Sequence, residues 1–156
     1  MPAAYRLMKS EPDECSIDDA LAAPKRITPW TGVRNYQARN YMRDLMQLGD
    51  GVLFFHSSCP EPGIAGIAEV CSAAYADASQ FDPKSPYLDP ASKPEAPRWL
   101  HVDVRLTRKT RLLPLAEMRS RPELATMLVL RKGNRLSITP VTPLEWREVL
   151  RLLAAK

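Results

Sequence analysis

Residues 51–70 read GVLFFHSSCPEPGIAGIAEV, and they decide what kind of fold this chain makes. Gly51 to His56 is a short, continuously apolar run, the pattern of a strand covered on both faces. Ser57 to Gly63 holds Pro60, Pro62 and Gly63, which punctuate a turn. Ile64 to Val70 is the next strand, and Gly66 inside it predicts a bulge or a close approach by backbone or ligand.

Upstream, Tyr5 to Lys9 reads as a first strand, stopped by Ser10-Glu11-Pro12. Ser16-Ile17-Asp18-Asp19 has capping-box form and opens a short helix, with Ile17, Ala20 and Leu21 inward, that Pro24 ends. Residues 25–34 form a loop. Asn35 is a good N-cap, and Ala38, Met42 and Leu45 recur at helical spacing as one buried stripe. This helix runs to about Leu48, with Gly49 as C-cap.

Downstream, residues 76–98 hold five of the fifteen prolines. A loop of that length in a compact domain is usually functional or disordered, and Phe81, Tyr87 and Leu88 argue that this one packs on something. Leu100, Val102, Val104 and Leu106 then alternate with polar residues as a half-buried strand, and Trp99 has the parity of its polar face. Arg105, Arg108, Lys109 and Arg111 cluster at its end and read as a solvated edge. Leu115–Met118 and Pro122–Leu130 read as short helices, and Arg135–Thr139 as a last strand. Thr142-Pro143-Leu144-Glu145 opens a closing helix that buries Trp146, Val149, Leu150 and Leu153. The strands are not separated by regular helices, which argues against a doubly wound parallel sheet. The expected fold is α+β, a small mixed or antiparallel barrel of five or so strands decorated by helices.

At 156 residues the chain fits one domain, residues 1–156, able to bury a core without a metal or disulfide. A net charge of +4 permits a nucleic-acid partner without demanding one. Cys15, Cys59 and Cys71 are far apart and form no metal-binding spacing, which fits free thiols in a reducing compartment. The residues show no N-terminal charged-then-apolar pattern and no apolar run of about 18 residues, so neither secretion nor a membrane span is expected. The expectation is a cytoplasmic monomer without cofactor or metal.

Enzyme motifs are missing. His56 beside Ser57 and Ser58 lacks the G-x-S-x-G context of a nucleophile elbow, and no H-E-x-x-H, Walker A or G-x-G-x-x-G occurs. A hydrolase using His56 remains the weakest of three readings. Polar groups suited to a base edge stand at strand ends and turns: Lys9, Ser10, Asn35, Asn40, His56, Ser57 and Ser137. Trp30, Tyr36, Tyr87 and Trp99 offer rings for stacking, worth ~1–3 kcal/mol per base. Residues 30–43, WTGVRNYQARNYMR, concentrate these types with three Arg, and a helix N-terminus beside several Arg suits phosphate. Each residue also has a structural reading: Asn40 as helix surface, His56 as a satisfied core histidine, the Arg as partners of nearby carboxylates.

Met8-Lys9-Ser10-Glu11-Pro12, Trp30-x-Gly32-Val33-Arg34-Asn35-Tyr36-Gln37-Ala38-Arg39-Asn40 and Phe55-His56-Ser57 resemble the EVE domain family. So do Phe81-Asp82-Pro83-x-Ser85-x-Tyr87, Asp89-Pro90, Pro97-Arg98-Trp99 and Arg135-Leu136-Ser137. The likeness runs from about residue 4 to about residue 150. It implies a PUA-like fold, a mixed β-barrel of about five to six strands with flanking short helices, and kinship with YTH and ASCH domains. It implies a non-catalytic reader of modified bases, 5-modified cytosine in DNA among them, acting by base flipping; modified RNA, tRNA or rRNA is the alternative partner. Carried over, Trp30 stacks on the base, Lys9, Ser10 and Asn35 contact its edge, and His56 and Ser57 close the floor. Arg34, Arg39 and Asn40 lie near the phosphates, and Tyr87, Asp89, Trp99 and Ser137 on the rim. This chain departs from the family at Thr31, usually acidic, and at Leu88, which replaces a second Tyr.

Overall fold

The computed structural model describes residues 4–133 and 136–154. Six strands form one mixed sheet in the order β2-β7-β4-β3-β1-β8. They are β1 (Tyr5–Ser10), β2 (Ile27–Pro29), β3 (Gly51–His56), β4 (Gly63–Val70), β7 (Asp103–Pro114) and β8 (Ile138–Val141). β5 (Tyr75–Ala76) and β6 (Leu100–His101) pair separately. Helices α1 (Ile17–Ala22), α2 (Tyr36–Asp44), α3 (Leu115–Arg119) and α4 (Pro143–Ala154) flank the sheet. Among the described residues no pairing joins β2 to β8, so the ladder has two ends. β1 and β3 are parallel neighbours, with Ser10 opposite His56. Their C-terminal ends therefore lie side by side, which positions the site described below.

Both faces of the sheet are covered. Met8, Val52 and Phe54 face a core shared with Ile17 and Ala20 of α1, Ala38 and Met42 of α2, and Trp30. Leu7, Leu53 and Phe55 face a second core with Met118, Trp146, Val149 and Leu153 of α3 and α4. Successive strand residues point to opposite faces, so a run that is apolar at every position fits only a sheet with two buried faces. Ile64 and Ile67 share the second core although they are three residues apart. The register shift between Ile64 and Gly66 accounts for this, because a bulge resets the alternation. A Cβ at Gly66 would lie 2.5 Å from Ile17 Cδ1, so that strand closely approaches α1.

Several local signals hold. Ser16 and Asp19 form a reciprocal capping box, as do Thr142 and Glu145, and Asn35 caps α2 by accepting from the Ala38 N–H. Others shift. α2 stops at Asp44, short of Leu48, and Leu45 is 54% exposed while Met46 takes the buried place. The loop expected over 25–34 contains β2. The helix expected over Pro122–Leu130 is two 3-10 turns, Pro122–Leu124 and Leu128–Leu130. The last strand is Ile138–Val141; Arg135, its expected start, lies outside the described residues. The basic cluster is part of the twelve-residue β7, where Arg105 pairs with Glu69, Lys109 with Asp18 and Arg111 with Glu117. All three cysteines are free thiols. No helix among the described residues is long and apolar enough to cross a membrane.

Candidate functional site

Where β1 and β3 end, the chain opens a cleft of about 870 Å³. Lys9 and Ser10 enter it from β1, Ser57 and Ser58 from just beyond β3. The opposite wall is Thr28 to Asn35, and Tyr87 and Ser137 stand at the margin. Two backbone bonds tie the floor together: the Ser57 N–H donates to Ser10 O at 2.9 Å, and the Lys9 N–H to Ser137 O at 2.8 Å. The Ser10 hydroxyl donates to Cys15 O at 2.6 Å and folds the Glu11–Cys15 turn over one side.

Trp30 is anchored by its N–H to Val102 O and lies edge-on to Phe54, with centroids 5.3 Å apart. It lines the cleft while only 6% exposed, so most of the ring belongs to the core. Asn35 uses its side-chain oxygen as the α2 cap and remains exposed on the cleft wall. Lys9 is half-buried, and burial lowers the pKa of its ammonium group. Gly32 turns the wall with φ +84°. A Cβ there would sit 2.9 Å from the Tyr87 ring, so only glycine admits this packing. The Tyr87 hydroxyl donates to the Glu14 carboxylate. Burial first, and then that bond, push the Tyr87 pKa up to about 12.

The remaining expected site residues serve the architecture around the cleft. Arg34 lines it, but all five guanidinium N–H groups are matched: two contacts to Tyr87 O and one each to Val33 O, Asp77 and Ser79. It also lies over the Tyr87 and Trp99 rings. Asp77, 0% exposed, additionally accepts from the Gly32 N–H at 2.8 Å. Burial raises the Asp77 pKa, yet bonds from Ser79, Gly32 and Arg34 outweigh it and hold the carboxyl below its usual range. Arg39 donates to Asn40 Oδ1 and to Arg98 O and covers the Tyr36 ring. Neither Arg39 nor Asn40 reaches the cleft.

Trp99 is 6% exposed against its sequence parity, because Nε1 donates to Asp89 at 2.8 Å and the ring stacks on Tyr36. That bond first, with the Ala91 N–H, keeps the Asp89 carboxyl ionised at lower pH than usual. His56 does not line the cleft: its Nε2 accepts from the Ile17 N–H at 3.0 Å and caps α1. Burial lowers its pKa, which suits a neutral acceptor. Residues not foreseen in the wall include Glu11, Glu14 and Cys15; Glu11 stands in the first motif quoted for the resemblance, whereas Glu14 and Cys15 are signalled only by their closeness to Lys9-Ser10. Of the two departures, Thr31 lines the cleft, whereas Leu88 is 40% exposed and outside it.

The EVE domain model matches residues 4–152. The chain is 44% identical to human thymocyte nuclear protein 1 over 167 residues, 96% of this chain and 74% of that protein. Its fold superposes on the crystal structure of human THYN1 in complex with 5-methylcytosine containing DNA with a TM-score of 0.91. That pair is 42% identical, with 99% of each chain covered. A crystal structure from Pseudomonas syringae is similar at a TM-score of 0.89 and 43% identity, covering 96% of this chain and 99% of that one.

Proposed function

The chain belongs to the EVE domain family, and from that premise we propose that it is a non-catalytic, monomeric nucleic-acid-binding module. Its cleft receives a flipped-out modified base, 5-methylcytosine in DNA above all. The observation that carries this is the cleft itself: at about 870 Å³ it lies within the ~300–1,000 Å³ of small-ligand sites. It sets an aromatic wall among convergent polar groups, the combination a flipped base requires. Human THYN1, 42% identical, is seen with 5-methylcytosine containing DNA, which supports the choice of ligand.

The roles follow from the groups present. The part of the Trp30 ring that the cleft exposes packs against the base. The Asn35 amide and Lys9 ammonium donate to its carbonyl edge, and the Ser57 and Ser137 hydroxyls complete the polar lining. Glu11 or Glu14 accepts from an exocyclic amine, the pairing carboxylates make with cytosine N4. The non-catalytic reading rests on how the reactive-type groups are used. His56 is committed to the Ile17 N–H, and Asp19, Asp77 and Asp89 to caps, loops and Trp99.

The deciding measurement compares affinity for duplexes that differ in a single 5-methylcytosine. Preference for the methylated duplex is expected; equal, salt-sensitive binding to both would overturn the reading. Trp30→Phe keeps an aromatic ring in the core, and its affinity should fall by less than the ~1–3 kcal/mol attached to a full stacking contact. An RNA version of the same strand should compete less well, because the 2′-OH distinguishes the two.

A further inference from the structure

Beside the cleft lies a second recess of about 410 Å³. The two share Lys9, Ser57 and Ser58. Arg119, at the end of α3, and Arg131 and Lys132, after the last 3-10 turn, line it with Lys9. Four cations therefore surround the recess and no carboxylate does. The side chains of Arg119, Arg131 and Lys132 are exposed and make no hydrogen bond or ion pair with any described residue. Among the described residues, the one other cation lining the cleft, Arg34, is used up on Asp77, Ser79 and Tyr87 O, and Arg39 on the neighbouring α2 is taken by Asn40 and Arg98 O. The lining of the cleft itself carries Glu11 and Glu14, which repel phosphate.

We propose that this recess binds the phosphodiester backbone of the strand whose base occupies the cleft, with Lys9 between the two. The inference rests on the reading of the cleft as a nucleobase pocket. A base rotated out of its stack stays attached to its backbone, so the flanking phosphates must lie at the pocket mouth. Among the described residues that line the cleft or the recess, the cations without partners lie on the recess side, so the strand crosses there, away from α2 and from Glu11 and Glu14.

The test is the combined variant Arg119→Gln, Arg131→Gln, Lys132→Gln in the full chain. All three positions are exposed, so the fold should persist, which circular dichroism checks. Binding to the methylated duplex is measured between about 50 and about 200 mM salt. Three lost phosphate contacts should flatten the fall in affinity across that range by roughly 40-fold, at ~0.9 ions released per contact. The ratio of methylated to unmethylated affinity should be unchanged. The control variant Arg105→Gln, Arg108→Gln, Lys109→Gln removes the same charge from β7 and should bind like the parent. A parental salt slope in the first variant, or the same loss in both, would overturn the recess as a site.

Inorganic phosphate should compete no better than chloride at equal ionic strength. Saturable competition specific to phosphate would make the recess a free-anion site and overturn its assignment to a strand. A parent chain without preference for 5-methylcytosine, whose recess variant still loses its salt slope, would sink the base-reading role alone.

Discussion

His56 shows how one residue can be placed correctly and used differently. It ends a buried strand beside two serines, as the sequence indicates, yet its Nε2 serves the first N–H of α1. Burial lowers its pKa in the fold, so folding favours the neutral ring. The unfolded chain then binds more protons than the native one, and stability rises with pH. The contribution is complete above the ordinary histidine value of 6.5 and is lost as pH falls through the lower folded value. Urea unfolding at several pH values should show a smaller loss on acidification in His56→Gln than in the parent. Arg34 is a second case. Arg34→Gln leaves the buried Asp77 carboxylate short of its cation and should cost ~1–3 kcal/mol. The same denaturant titration checks it, and no loss would mean that Ser79 and the Gly32 N–H suffice.

At the scale of elements, α2 does two jobs through one residue. Asn35 caps the helix with its oxygen and presents its amide to the cleft. Asn35→Ala should cost ~1 kcal/mol of stability. Asn35→Ser retains a capping oxygen and should restore most of that loss, but it lacks the amide donor and should bind the methylated duplex more weakly than the parent. Recovery of both stability and affinity in the serine variant would remove Asn35 from base recognition. The proline-rich stretch behaves as an element in its own right. Gln80 bonds to Asp77 O and Trp99 O, and Ser92 to Gln80, so the two ends of the loop are fastened together. Arg34 then fixes the loop to the start of α2, which brings Tyr87 onto Gly32.

For the whole molecule, the two cores make the centre of the sheet its most protected part. β1, β3 and β4 are each paired on both sides and covered on both faces. Amides there should exchange only through global unfolding, while those of the edge strands β2 and β8 and of residues 82–98 exchange through smaller openings. Hydrogen exchange followed by mass spectrometry reads this directly; exchange of β3 as fast as β2 would contradict it. The cleft lies where this rigid centre ends, between β1, β3 and a fastened loop, so the proposed base pocket is preformed.

The sequence by itself determined what depends on neighbours along the chain. Unbroken apolarity over Gly51–His56 required a sheet covered twice, and Ser16, Asn35 and Thr142 marked helix starts because a cap acts within three residues. The bulge at Gly66 was legible for the same local reason, and the long motifs identified the family. Which side chains remain available was decided only by the tertiary structure. Arg34, Arg39, Trp99 and Asp89 look like ligand-binding residues, yet each finds its partner inside the fold, often some fifty residues away. Arg119, Arg131 and Lys132 carry no local signal and come to the recess beside the cleft only by folding. A charge is free to meet a ligand only when no closer group has satisfied it, and that depends on distances between segments that the order of residues does not contain.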